Sequence, residues 1–115
     1  MWSTRPLLAL LIAVASGCGG VTVQAAEVCP AQTGQPLRSV DVFDGPVEDL
    51  AILVPDSAKE RVGHWQLGYV YAAGRSVNLR CHYADGRTVD VPLPKKVERC
   101  DYRIDATKTL TLNCK

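Results

Sequence analysis

The sequence predicts an all-β protein: a small antiparallel sheet or barrel-like domain of about six or seven short strands with two disulfides. Three observations carry this. First, "SVNLRCHY" (76–83) alternates cleanly, with Val77, Leu79, Cys81 and Tyr83 on one parity and Ser76, Asn78, Arg80 and His82 on the other. A period of two puts one set against a core and the other toward water. Second, Asp-Gly pairs stand at 44–45 and 85–86, between apolar runs. Asp-Gly favours the positive φ angles that tight hairpins require. Third, Cys29, Cys81, Cys100 and Cys114 form an even set in a short chain, as in small exported domains.

The chain opens with "MWSTRPLLALLIAVASGCGGVTVQAA". Arg5 precedes an unbroken apolar run from Leu7 to Ala15, too short to cross a bilayer comfortably. Small residues follow, and Val23 and Ala25 suit signal peptidase cleavage after Ala25. Residues 1–25 are therefore expected to be a signal peptide and 26–115 a single β-rich domain, with no transmembrane segment after cleavage. An alternative is a lipoprotein signal ending before Cys18. "ASGC" resembles a lipobox, with Ala15 where Leu is usual, and would place a lipid anchor at Cys18. The first route leads to the periplasm and the second to an outer-membrane lipoprotein. Either removes Cys18 from the five cysteines as a pairing partner.

"LRSVDVF" (37–43) reads as the first strand, closed by "DGP". "VEDLAILV" (47–54) fits helical spacing through Val47, Leu50, Ala51 and Val54. It also fits a strand with Leu50, Ile52 and Val54 on one face, and the strand is preferred for its short length and flanking prolines. "PDSAKERVGH" is polar and reads as a loop. "WQLGYVY" puts Trp65, Leu67, Tyr69 and Tyr71 on one strand parity before the turn "AAGR". After "SVNLRCHY" and the turn "ADGR", "TVDVPL" turns Val89, Val91 and Leu93 inward. Pro92 lacks a backbone donor, which suggests an edge or a strand end. "CDYRI" and "TLTLNC" form the last hairpin around "DATK".

Cys100 and Cys114 fall at the two open ends of that hairpin on inward parity. That geometry pairs them and leaves Cys29 with Cys81, one of the three connectivities open to four cysteines.

Composition narrows the function. Thirteen Lys and Arg against twelve Asp and Glu give a formal charge of +1, without the basic excess of a nucleic-acid binder. A Cys81–His82 dyad is disfavoured, because adjacent strand residues face opposite ways. His64 and His82 are the sole histidines, and the sequence has neither C-x-x-C nor H-x-x-x-H. No metal or cofactor is expected. Asp41, Asp44, Glu48 and Asp49 cluster near a turn, where aspartate is common for conformational reasons. No G-x-S-x-G occurs, and no catalytic residue is assigned. What remains is recognition. Arg80, His82 and Arg87 form the candidate binding surface, an outward cluster whose positive charge would suit an acidic cleft.

Several stretches resemble a family of small proteobacterial periplasmic proteins named after an enterobacterial locus tag. They are "CP" at 29–30, "VFDGPVEDLAILVPD" (42–56), Trp65 with Leu67, "LRCHY" (79–83), "PLP" at 92–94 and Cys100. The resemblance covers nearly all of the mature chain and implies a signal peptide, a periplasmic setting and a small β-rich fold, with no established reaction. A looser likeness is to periplasmic lysozyme inhibitors, short exported β-barrels with disulfides. Those insert a Ser-Gly-x-x-Tyr loop into their target, and this chain has no clear counterpart, so no residue carries over. The expected function is a non-enzymatic periplasmic protein-binding module. It would be an inhibitor or immunity protein against a cell-wall hydrolase, with a periplasmic or imported enzyme as partner. A small envelope structural component and an unrecognised hydrolase are the alternatives.

Overall fold

The computed structural model describes residues 28–115. The expected signal peptide and Cys18 lie outside that range. Seven strands form two antiparallel sheets. The first sheet has β1 (Leu37–Asp44), β4 (Val77–Tyr83) and β5 (Thr88–Pro92), with β4 in the centre. The second runs β2 (Ser57–Ala58), β3 (Val62–Gln66), β6 (Arg99–Ile104), β7 (Leu110–Cys114) in that order.

The alternation in "VNLRCHY" holds at every residue of β4: Val77, Leu79, Cys81 and Tyr83 are buried and the residues between them half-buried. These side chains share one core with Val40 and Val42 of β1, Trp65 of β3, Cys100 of β6 and Leu110 and Leu112 of β7. The two sheets thus cover each other's apolar sides. The bulge at Arg38 ties them further. Its guanidinium reaches across to the β6–β7 turn and donates to the carbonyls of Thr107 and Lys108, at 2.9 Å each.

"ADGR" makes the β4–β5 hairpin, closed by the bond from Tyr83 N–H to Arg87 O at 3.0 Å. Gly86 sits at φ 91°, the left-handed position that ends a three-residue hairpin loop. Pro92 lies on β5, an edge strand, where a missing donor costs no ladder bond.

Both expected disulfides are present, Cys29–Cys81 and Cys100–Cys114. Arg99 and Lys115 exchange both backbone bonds, so Cys100 and Cys114 form the neighbouring non-hydrogen-bonded pair, where side chains approach most closely. Chain-entropy arguments give about 3 kcal/mol for this short loop and about 4 kcal/mol for the longer one closed by Cys29 and Cys81.

Three local expectations need correction. "VEDLAILV" is neither the preferred strand nor a regular α-helix. A single 3-10 turn, Val47–Asp49, leads to one isolated bridge between Ile52 and Phe43. Leu50, Ile52 and Val54 are exposed rather than part of a buried face. "PDSAKERVGH" contributes β2 and the start of β3 instead of remaining a loop. "WQLGYVY" is also not one strand: β3 stops at Gln66 and a short helix, α1 (Gly68–Ala72), follows. Val70 is the residue it buries, three places after the buried Leu67 that caps its start, while Tyr69 is exposed. Gly63 is fixed by packing, since a Cβ there would run into the Tyr102 ring and the Ser57 carbonyl.

Candidate functional site

The outward side of the three-stranded sheet is organised around β4. Strand register sets Asp41, Arg80 and Asp90 abreast in one row, and Ser39, His82 and Thr88 in the next. Arg80 and His82 therefore share the outward side of the central strand, while Arg87 stands in the turn that follows, opposite the inward Tyr83.

Each of these side chains meets a carboxylate. Arg80 grips Asp90 with two bonds, Nε to Oδ1 at 2.8 Å and Nη2 to Oδ2 at 3.1 Å. The bond from Arg80 holds the Asp90 carboxyl below its ordinary pKa, and the bond to Asp90 raises that of Arg80 in return. His82 Nε2 lies 2.7 Å from Asp41 Oδ2. Arg87 turns back on Asp85, whose carboxylate accepts the Arg87 backbone N–H at 2.9 Å and Nε at 2.6 Å. Those bonds, the backbone one first, lower the Asp85 pKa. A partner meets alternating signs fixed in place, not a field of one sign. A guanidinium held by a carboxylate fork is already oriented and loses little freedom when it makes a further contact. Arg80 also lies 5.8 Å from the centre of the buried Phe43 ring, so its stem and head cover that side chain.

A second set of polar side chains lies on the other sheet. Asp101, Arg103 and Thr111 belong to β6 and β7 of the second sheet, far from the Arg80 row in topology. There they line a shallow cleft of about 520 Å³ with His64 and Arg99. Arg99 is tied to Asp101 at 2.9 Å. A second groove, of about 590 Å³, runs between the N-terminal segment and β7. Tyr83 closes its floor by donating to the Pro30 carbonyl.

His64 and His82 stand on different sheets. Among the described residues, no three His, Cys, Asp or Glu side chains gather into a metal site. Cys81 is disulfide-bonded and carries no thiol. Also among the described residues, no helix is long and apolar enough to cross a membrane. Sequence reasoning missed the carboxylate partners of the candidate cations. Asp41 reads in the sequence as one of a cluster of acids near a turn, and its alignment and that of Asp90 with Arg80 depend on inter-strand register.

No curated protein and no solved structure matches the chain. Residues 30–115 match the family described as Type VI secretion system Tli immunity protein. The match begins one residue after Cys29 and runs through both sheets to the last residue, so it spans the folded domain rather than a local motif. It is to an immunity family, in line with the looser inhibitor likeness, and not to the locus-tag proteins. The all-β architecture, the two disulfides and this match along the whole domain lead to one conclusion: the chain belongs to the Tli immunity proteins of the type VI secretion system.

Proposed function

We propose that this protein works in the periplasm by binding a delivered toxin enzyme and occluding it, with no turnover of its own. The observation that carries this reading is the family match along residues 30–115. Two disulfides support a setting outside the reducing cytosol. The face of Arg80, His82 and Arg87 is the polar part of the contact. Its paired side chains are half-exposed and oriented, which suits them to register and specificity more than to bulk affinity.

The test is a co-culture. Sensitive recipient cells carrying the full chain are challenged with an attacker whose type VI apparatus is active, and with the same attacker lacking it. Recipients with the chain should survive the first attacker, and recipients without it should survive only the second. Equal killing with and without the chain would overturn the reading. Once the responsible effector is identified by deletion in the attacker, its purified form can be assayed on peptidoglycan and on phospholipid vesicles. Those arms decide between the wall hydrolase expected from sequence and a membrane-lipid hydrolase. Stoichiometric inhibition, with no activity of the immunity chain on either substrate, is the expected result.

A further inference from the structure

Beside the charged rows lies a strip of different character. Leu50, Ile52 and Val54 are 66%, 54% and 82% exposed. They make up three of the five large hydrophobic side chains exposed among the described residues, and they fall within five positions. Scattered apolar residues on a surface need no explanation, but a contiguous set does.

Packing does not require these side chains to face water. Leu53, between two of them, turns inward onto the core, and its carbonyl accepts the Trp65 indole N–H at 3.0 Å. Leu50 occupies the left-handed region at φ 54°, a conformation strained for any residue with a Cβ. The strain presents a leucine to solvent.

The backbone is open too. The bonds from Asp44 N–H to Ala51 O and from Leu53 N–H to Val42 O make Ile52 and Phe43 a non-hydrogen-bonded pair. The N–H and C=O of Ile52 then point away from β1, and neither has a backbone partner among the described residues. An edge of this kind with apolar side chains is a template for an added strand.

We propose that the apolar edge formed by Leu50, Ile52 and Val54 is the main grip on the toxin. It would take an extended apolar segment of the toxin rimmed by lysine or arginine. This rests on the immunity reading above and names the surface that carries it out.

Charge selects that occupant. Glu48 and Asp49 precede the strip and Asp56 follows it; all three are exposed, and among the described residues none is in an ion pair. A basic rim complements them. A second copy of this chain pairing antiparallel at Ile52 would bring the two acidic flanks together, which like-charge repulsion opposes. The strip is also continuous with the polar face. Register puts Ile52 beside Phe43 and Phe43 beside Asn78, one row from Asp41, Arg80 and Asp90. Apolar anchor and charged border form one interface of ordinary anatomy.

The test uses the full chain and the effector identified by deletion in the co-culture. Ile52→Asp and Val54→Asp should each weaken binding about 30-fold or more, and Ile52→Val should stay within a few-fold of wild type. Intact disulfides and an unchanged circular dichroism spectrum establish that the variants fold. Alanine at Arg80, His82 and Arg87 together should cost less than Ile52→Asp alone. Lysine at both Glu48 and Asp49 should slow association, with the difference shrinking at high salt. A photo-crosslinker at Val54 should trap the effector. Wild-type protection that survives Ile52→Asp overturns the grip while leaving the immunity reading intact. Crosslinks to a second copy or to residues 1–27 overturn it likewise, and faster association of the lysine variant overturns the basic rim. Failure of the wild-type chain to protect removes both proposals.

Discussion

Two strips of one face solve opposite problems. Along β4 and the turn after it, Arg80, His82 and Arg87 each have a carboxylate of the chain within bonding distance, so the polar strip is complete before any partner arrives. Along residues 50–54 the outward side is left open: three side chains are exposed, the N–H and C=O of Ile52 have no backbone partner among the described residues and a leucine is strained. In the bare letters the polar strip suggests function, because arginine and histidine are the residues of chemistry. The apolar strip suggests structure, because leucine, isoleucine and valine are the residues of a core. Folding meets the bonding needs of the first strip within the chain and leaves the second uncovered. Residue type alone ranks candidate sites poorly; whether a group's needs are met inside the chain ranks them better.

Phe43 joins the strips, since Arg80 covers its ring and Ile52 is its neighbour across the bridge. It is 1% exposed, and Phe43→Ala should cost about 3–5 kcal/mol in urea unfolding. Both strips should loosen together, seen as faster amide exchange around Ile52 and Arg80. Loosening of one strip alone would show that they are not a single surface.

A smaller effect separates the charged strip by pH. Arg80 lowers the Asp90 pKa in the folded chain, so the stabilisation is present above the ordinary carboxylate value and lost as pH falls through the lowered one. Wild type should therefore be more stable than Asp90→Asn at neutral pH. The gap should close below about pH 4 and narrow in high salt. Both groups are largely solvent-facing, so the difference is small.

The smallest effect is expected on the apolar strip. Ile52→Asp and Val54→Asp should change unfolding stability by about 0.5 kcal/mol or less. A loss well above that would mean the strip belongs to the fold rather than to a partner.

Much of the architecture was legible. β4, β5 and the last hairpin follow from strict alternation, and the cysteine pairing follows from hairpin ends. The helix α1 was hidden because Trp65, Leu67, Tyr69 and Tyr71 mimic a strand, while the decisive pair, Leu67 and Val70, is three apart. Parity tells which residues face outward but not from which sheet, so the separation of Arg103 and Thr111 from Arg80 comes only with the topology. The apolar edge escaped for a related reason. Alternation says that one side of a segment differs from the other, but not that anything covers it.

The disulfides join the first cysteine of the folded domain to the second and the third to the fourth, without crossing. Consider a chain threaded N-terminus first into an oxidising space. Cys29 and Cys81 have both emerged while Cys100 and Cys114 are still behind the translocation channel. Pairing by order of arrival is then native pairing, and the second bridge closes only when Cys114 appears. A chain exported in that order would need no isomerase to reshuffle its bridges.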